Sequence, residues 1–182
     1  MREDVFKDLR NVLMESLDDP YHPEDDESMP DIDENSRKKP VLTLEFPYCT
    51  FKCDKENGQQ VCQNSALATE PEIEVSLDTI WNLYQCNPIT KGFCCQGLEP
   101  LDSVDELLGF IYYIRKIRYC NDPIIIYTGY NKEEVTKFIY QITQYNKIII
   151  KWGRYIIGDK PHYDEVLGIN LASNNQYGEN IS

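Results

Sequence analysis

The chain has 182 residues, 41% of them hydrophobic, with thirteen Tyr, six Phe, two Trp and a formal charge of −13, which suits one domain or a domain plus a tail. The acidic balance leaves no basic stripe to release counterions from a phosphate backbone, so nucleic-acid binding is excluded as the main role. With no secretory apolar segment and no apolar run near the roughly 20 residues that span a bilayer, a cytoplasmic protein without a membrane partner is expected, and its seven cysteines read as ligands, reactive thiols or core residues before disulfides.

Residues 1–39 divide in two. Residues 3–17 set Val5, Phe6, Leu9, Val12, Leu13 and Leu17 on one helical face, predicting an amphipathic helix that packs on the domain or docks a partner. Asp18 to Glu34 holds nine acids, three prolines and no Lys or Arg, and reads as a solvated linker.

Residues 40–182 form the second region, and their pattern is regular. Val41–Phe46 is a short strand, followed by a cysteine-rich loop and a helix over Ser76–Cys86. Gly92–Gln96 is a strand that ends at Gly97-Leu98-Glu99-Pro100. Ser103 and Glu106 predict a capping box for a helix whose buried stripe is Val104, Leu107, Leu108, Ile111 and Ile114. Pro123–Thr128 is an apolar strand stopped by Gly129. Asn131 with Glu134 caps a further helix with Val135, Phe138, Ile139 and Ile142 inward, and Lys147–Trp152 is the next strand. Strands apolar on both faces, alternating with helices, argue for a parallel sheet with right-handed crossovers.

Cys49, Cys53 and Cys62 crowd the loop after the first strand. Their spacing is irregular, and Asn57-Gly58 offers a reason. In a type I′ hairpin turn there, Asp54 would face Val61 and Cys53 would face Cys62, with Cβ atoms about 4.5–5.5 Å apart. Cys49 would complete a triangle. Such a trio suits an iron–sulfur cluster, a zinc site or a Cys53–Cys62 disulfide, and spacing does not choose between them. Zinc normally takes four Cys or His ligands, and the only histidines are His22 and His162, neither at a convincing spacing. Cys86, Cys94, Cys95 and Cys120 fall in apolar patterns and read as small buried hydrophobes.

In parallel sheets ligands bind beyond the carboxyl ends of the strands. The cysteine loop, Gly97–Pro100, Thr128-Gly129-Tyr130 and Gly153-Arg154 each follow one of the four strands, so they converge although they are spread along the chain. Taken singly they are plain: Glu99 a surface acid in a turn, Gly129 a turn glycine with positive φ, Arg154 a salt-bridge partner as readily as a ligand contact. His162, Asp164 and Glu165 read as a solvated charged turn. No ordered Cys–His–Asn/Asp pattern supports a cysteine hydrolase, and no side chain is assigned as a catalytic acid, base or nucleophile.

Together these segments resemble those of small radical S-adenosylmethionine proteins, most closely the activating proteins of anaerobic ribonucleotide reductases. The resemblance runs from about Val41 to Tyr177. It rests on the three-cysteine loop with its Cys62-Gln-Asn64 ending, on Gly97-Leu-Glu-Pro100 in place of Gly-Gly-Glu-Pro, and on Ile126-Tyr-Thr-Gly-Tyr130. Gly153-Arg-Tyr155 and Leu171-Ala-Ser-Asn-Asn-Gln176 complete it. The fold it implies is an open, partial (β/α) barrel of mostly parallel strands behind an acidic N-terminal extension.

The resemblance further implies that Cys49, Cys53 and Cys62 ligate three irons of a 4Fe-4S cluster, leaving the fourth to the amino and carboxylate groups of S-adenosylmethionine. Glu99 would pair with the methionyl ammonium, Gly97 would let backbone approach the ligand, and Thr128, Gly129 and Tyr130 would line the pocket. The activity implied is reductive cleavage of S-adenosylmethionine to a 5′-deoxyadenosyl radical that installs a glycyl radical on the partner. The implied partners are a glycyl radical enzyme (the anaerobic ribonucleotide reductase large subunit) and an electron donor such as flavodoxin. Radical chemistry on another substrate, or a non-catalytic zinc-stabilised binding module, are the alternatives. The chain departs from the family pattern at Leu98, at Val61 before the third cysteine, in the eight residues between Cys53 and Cys62, and in lacking the glycine-rich stretch that many relatives carry before the first strand.

Overall fold

Four short, largely apolar runs pair side by side in chain order in the computed structural model, which describes residues 40–182. The strands are β1 (Leu42–Phe46), β2 (Phe93–Gly97), β3 (Ile124–Tyr127) and β4 (Ile148–Trp152). All three pairings among them are parallel, with Phe46 beside Gly97 and Tyr127 beside Lys151. A further strand, β7 (Tyr177–Asn180), joins β4 antiparallel, giving the order β1-β2-β3-β4-β7. A separate two-stranded ribbon, β5 (His162–Asp164) and β6 (Ile169–Leu171), precedes it. The chain is therefore mixed α/β with a mostly parallel central sheet. The amphipathic stretch 3–17 and the acidic linker lie outside the described residues.

Period-two burial shows which face the helices cover. Phe93, Cys95, Ile124, Ile126, Ile148, Ile150 and Trp152 share one core with Leu107, Phe110, Ile111, Ile114, Phe138 and Ile142 from the helices. Each fully buried aliphatic side chain of this set stabilises by about 1.5–3 kcal/mol. The helices are α2 (Leu77–Cys86), α3 (Val104–Tyr112), extended by one wider turn over Tyr113–Ile117, and α4 (Thr136–Ile142). No helix among the described residues is long and apolar enough to cross a membrane.

The helix starts differ from one another. Ser76 accepts a hydrogen bond from the Thr79 N–H at 3.1 Å and caps α2 as an N-cap serine should. The Asn131–Glu134 capping box forms, with Asn131 N–H donating to Glu134 Oε2 at 2.8 Å. The Ser103–Glu106 box does not form. A 3₁₀ turn over Pro100–Asp102 delivers Ser103 with φ −121° and ψ 52°, and its buried hydroxyl has no partner. Two cysteine and acid expectations are also corrected. Cys94 and Cys95 are buried and Cys120 partly so, but Cys86 is exposed as the last residue of α2, whose buried side chain is Tyr84. Asp164 is buried rather than solvated, because its carboxylate accepts the Leu167 and Gly178 N–H groups and ties the ribbon to β7.

These caps give a stability contrast. Ser76→Ala should lower unfolding free energy by about 1 kcal/mol. Ser103→Ala, which removes an unpaired buried hydroxyl, should cost nothing or raise stability. Urea unfolding of both variants measures the difference.

Candidate functional site

Parallel pairing places the ends of β1 to β4 along one edge, and the chain leaving each strand is tied to its neighbour there. Leu98 N–H donates to Phe46 O at 3.0 Å and Glu99 N–H to Tyr48 O at 2.9 Å, so the cysteine loop starts as an extension of the β1–β2 pair. Thr128 N–H reaches Lys151 O at 2.9 Å and Gly153 N–H reaches Tyr130 O at 3.2 Å.

The cysteine loop does not form a hairpin. Lys52–Asn57 is a short helix, α1, and Gly58 stops it in the left-handed region with φ +66°. A type I′ turn needs positive φ at Asn57 as well, and Asn57 instead ends the helix, donating from its side chain to Cys53 O at 2.7 Å. Cys62 still returns toward Cys53, by another route. Asp54 Oδ1 accepts the N–H groups of both Val61 (2.8 Å) and Cys62 (2.9 Å). Asn64 then fastens the loop's end to β2, donating to Gly97 O at 2.8 Å. Phe51, before α1, has φ +52°, a position that costs a bulky L-residue about 1–2 kcal/mol; it aims its N–H at Cys49 Sγ, 3.2 Å away.

Gly97 has φ +97°, and a Cβ there would lie 2.7 Å from Phe46 N and 2.9 Å from Glu45 Cα. Its bare backbone serves the close approach of β1. Leu98 takes no positive φ, so the backbone there accepts a side chain without strain. Glu99 is 5% exposed. Its Oε1 accepts Leu101 N–H (3.0 Å) and the Thr128 hydroxyl (2.8 Å), and its Oε2 accepts Gly129 N–H (2.8 Å). Burial raises its pKa, while these three donors pull the other way. Of a carboxylate's roughly four acceptor positions, one remains open, on Oε2.

Gly129 takes no positive φ; what it lacks is bulk. A Cβ there would stand 3.4 Å from Cys53 Sγ, 3.6 Å from Glu99 Oε2 and 3.3 Å from Arg154 Cγ. The absent side chain leaves a gap flanked by a thiol, a carboxylate and the arginine stem, within a shallow, open cleft lined also by Cys49, Thr50, Lys52 and Tyr130. Cys62 does not line it but lies close enough to Cys53 to raise that thiol's pKa, after burial. Burial also pushes the Cys49 thiol up to about 11, so both thiols are held protonated until a metal displaces the protons. Among the described residues no three His, Cys, Asp or Glu side chains gather as ligands of a single ion.

Two residues of this edge, Asp102 and Lys151, were not singled out from the sequence, and the Asn175-Gln176 pair, which was, finds its role here. Asp102 accepts Thr50 N–H at 2.7 Å and the Tyr130 hydroxyl, joining the cysteine loop to the β3 turn. Lys151 is buried on the helix-free side of β4, donates to Gly153 O at 2.8 Å, and burial lowers its pKa to about 8; a lysine inside an apolar strand was the available signal. Gln176 accepts Ala172 and Ser173 N–H and donates to Gly153 O, while Asn175 donates to Arg154 O at 2.9 Å. The Ser-Asn-Asn-Gln segment thus clasps the exit of β4.

A family model described as 4Fe-4S single cluster domain matches residues 41–176, well over half of the chain. No curated protein and no solved structure matches it.

Two outcomes follow for the cluster-free protein. Gly97→Ala should destabilise by about 2 kcal/mol or more, from positive φ and the clash with β1, measured by denaturant unfolding. The depressed Lys151 pKa means that the unfolded chain binds more protons between about pH 8 and its ordinary 10.5. Stability contributed through this group therefore rises with pH across that window, and Lys151→Met should remove that rise.

Proposed function

The chain belongs to the 4Fe-4S single cluster domain family, and from that premise we propose that it is a radical S-adenosylmethionine activase that generates a glycyl radical on a partner enzyme. The observation that carries the reading is the gap at Gly129, where Cys53 Sγ and Glu99 Oε2 both border one point, 3.4 and 3.6 Å from the position a Cβ would take. A thiolate beside a buried carboxylate with one free acceptor position suits a ligand that meets a metal cluster and presents an ammonium group. The open, partial-barrel description of the sheet belongs to the same reading.

In this proposal Cys49, Cys53 and Cys62 hold three irons of the cluster. Such ligands sit on different irons, so their sulfurs need not converge on one point. When bound, the cluster supplies the electron that cleaves S-adenosylmethionine to methionine and a 5′-deoxyadenosyl radical, which takes a hydrogen atom from a glycine Cα of the partner. Glu99 receives the methionyl ammonium at Oε2 and is kept in place by Thr128 and the Gly129 N–H. Phe51 N–H stabilises charge on Cys49. Tyr130, anchored through Asp102, walls the pocket. The partner is an anaerobic ribonucleotide reductase large subunit and the reductant a flavodoxin-like donor, in a cytoplasmic setting.

Anaerobic reconstitution with iron and sulfide should give the broad visible absorption of a 4Fe-4S protein, and Cys53→Ala should abolish it. The reduced protein should then release 5′-deoxyadenosine from S-adenosylmethionine and, with the reductase added, produce a glycyl radical signal in electron paramagnetic resonance. Tight uptake of one zinc and no iron would contradict the proposal. Deoxyadenosine without a glycyl radical would move the target to another substrate.

A further inference from the structure

We infer that Arg154 sets the reduction potential of the cluster and, with Glu134 and Lys52, fastens the cysteine helix to the site. The inference needs a cluster on Cys53 and its two companions but does not depend on the activase reading.

Helix α1 carries Cys53 yet buries none of its residues, so apolar packing does not hold it. Polar contacts do. Glu134 Oε1, from the turn after β3, meets Arg154 Nη2 at 2.9 Å and Lys52 Nζ at 3.4 Å. Arg154 Nε lies 3.6 Å from Glu56 at the other end of α1, and Asn57 donates to Tyr155 O at 3.4 Å. Lys52 Nζ and the Arg154 guanidinium both stand over the Tyr130 ring, 4.3 and 5.5 Å from its centre. Through Asp54 the same helix holds the backbone of Cys62. One carboxylate with two cations thus links the chain after β3 and β4 to the helix that positions two of the three thiols.

The members of this network differ in exposure. The Arg154 side chain is 8% exposed, whereas Glu134 and Glu56 are 32% and 58% exposed. Water therefore screens the acids more than the guanidinium. Arg154 Cγ borders the Gly129 gap on which Cys53 Sγ lies, and the guanidinium beyond it is near enough to favour negative charge on that sulfur. A poorly screened positive charge beside a ligand sulfur favours the reduced cluster, which carries one more negative charge than the oxidised form. Its clasp with Glu134 tempers that field, so the two residues should act on the potential with opposite sign.

The test uses the full chain, reconstituted anaerobically, as wild type, Arg154→Met, Arg154→Lys and Glu134→Gln. Dithionite supplies the single electron, the midpoint potential is followed by electron paramagnetic resonance, and iron loss to a chelator is timed in parallel. Arg154→Met should make reduction about tenfold less favourable, which is about 59 mV more negative for one electron. Glu134→Gln should shift the potential positive, and Arg154→Lys should recover most of the wild-type value. Both Arg154→Met and Glu134→Gln should lose iron several-fold faster than wild type. Equal potentials, or shifts of the same sign in Arg154→Met and Glu134→Gln, would overturn the inference even if retention falls, because a merely mechanical clasp predicts that result. If Arg154→Met holds no cluster, Arg154→Lys and Glu134→Gln decide by the same criterion: Glu134→Gln moving negative or not at all overturns it. A wild type that takes up no cluster overturns this inference and the cysteine assignment together, whereas loaded wild type with unmoved variants overturns this inference alone.

Discussion

Parallel pairing is the constraint on which the rest depends. Four strands in register deliver four loops to one edge of the sheet, which brings Cys53, Glu99, Gly129 and Arg154 together from positions up to about a hundred residues apart. The tightest point is Gly97, where β1 comes so near that no side chain fits. From that contact the backbone of Leu98 and Glu99 continues the ladder into the cysteine loop, which fixes the distance between the thiols and the buried carboxylate.

Polar contacts, more than apolar ones, organise this edge. Asp54 gathers Val61 and Cys62, Asp102 joins Thr50 to Tyr130, Glu99 draws in Thr128 and Gly129, and Asn64 and Gln176 close on the exits of β2 and β4. Each carboxylate is matched by backbone N–H groups or hydroxyls, which offset part of its desolvation. The helix-covered face supplies most of the packing energy, and the edge supplies geometry. That division leaves the short cysteine helix free of buried side chains and dependent on hydrogen bonds and charge.

The four parallel strands and the three longer helices were legible because their patterns are strong: unbroken isoleucine runs in β3 and β4, and a clean stripe from Leu107 to Ile114. The short β5, β6, β7 and α1 carry no comparable run. The convergence of loops followed from the parallel order alone. Local backbone choices were less legible. Asn57-Gly58 is a hairpin signal in isolation, but a preceding helical turn changes what the glycine's positive φ does, from turning a hairpin to stopping a helix. Ser103 carries a capping pattern that the neighbouring 3₁₀ turn defeats. Asp54, Asp102 and Asp164 look like members of an acidic surface, since nothing in composition tells which carboxylates fold back onto buried N–H groups. The role of Gly129 is legible only in three dimensions, where its missing side chain separates a sulfur from a carboxylate.

The central proposal is that Cys49, Cys53 and Cys62 hold a cluster that leaves one iron free for S-adenosylmethionine, with Glu99 beside the Gly129 gap receiving the ligand's ammonium. Electron paramagnetic resonance of the reduced, reconstituted protein with and without S-adenosylmethionine tests it most directly. A clear change in the cluster signal on addition, reduced when Glu99 is replaced by alanine, is the predicted result. A signal indifferent to S-adenosylmethionine, from a cluster fully ligated by the protein, would contradict it.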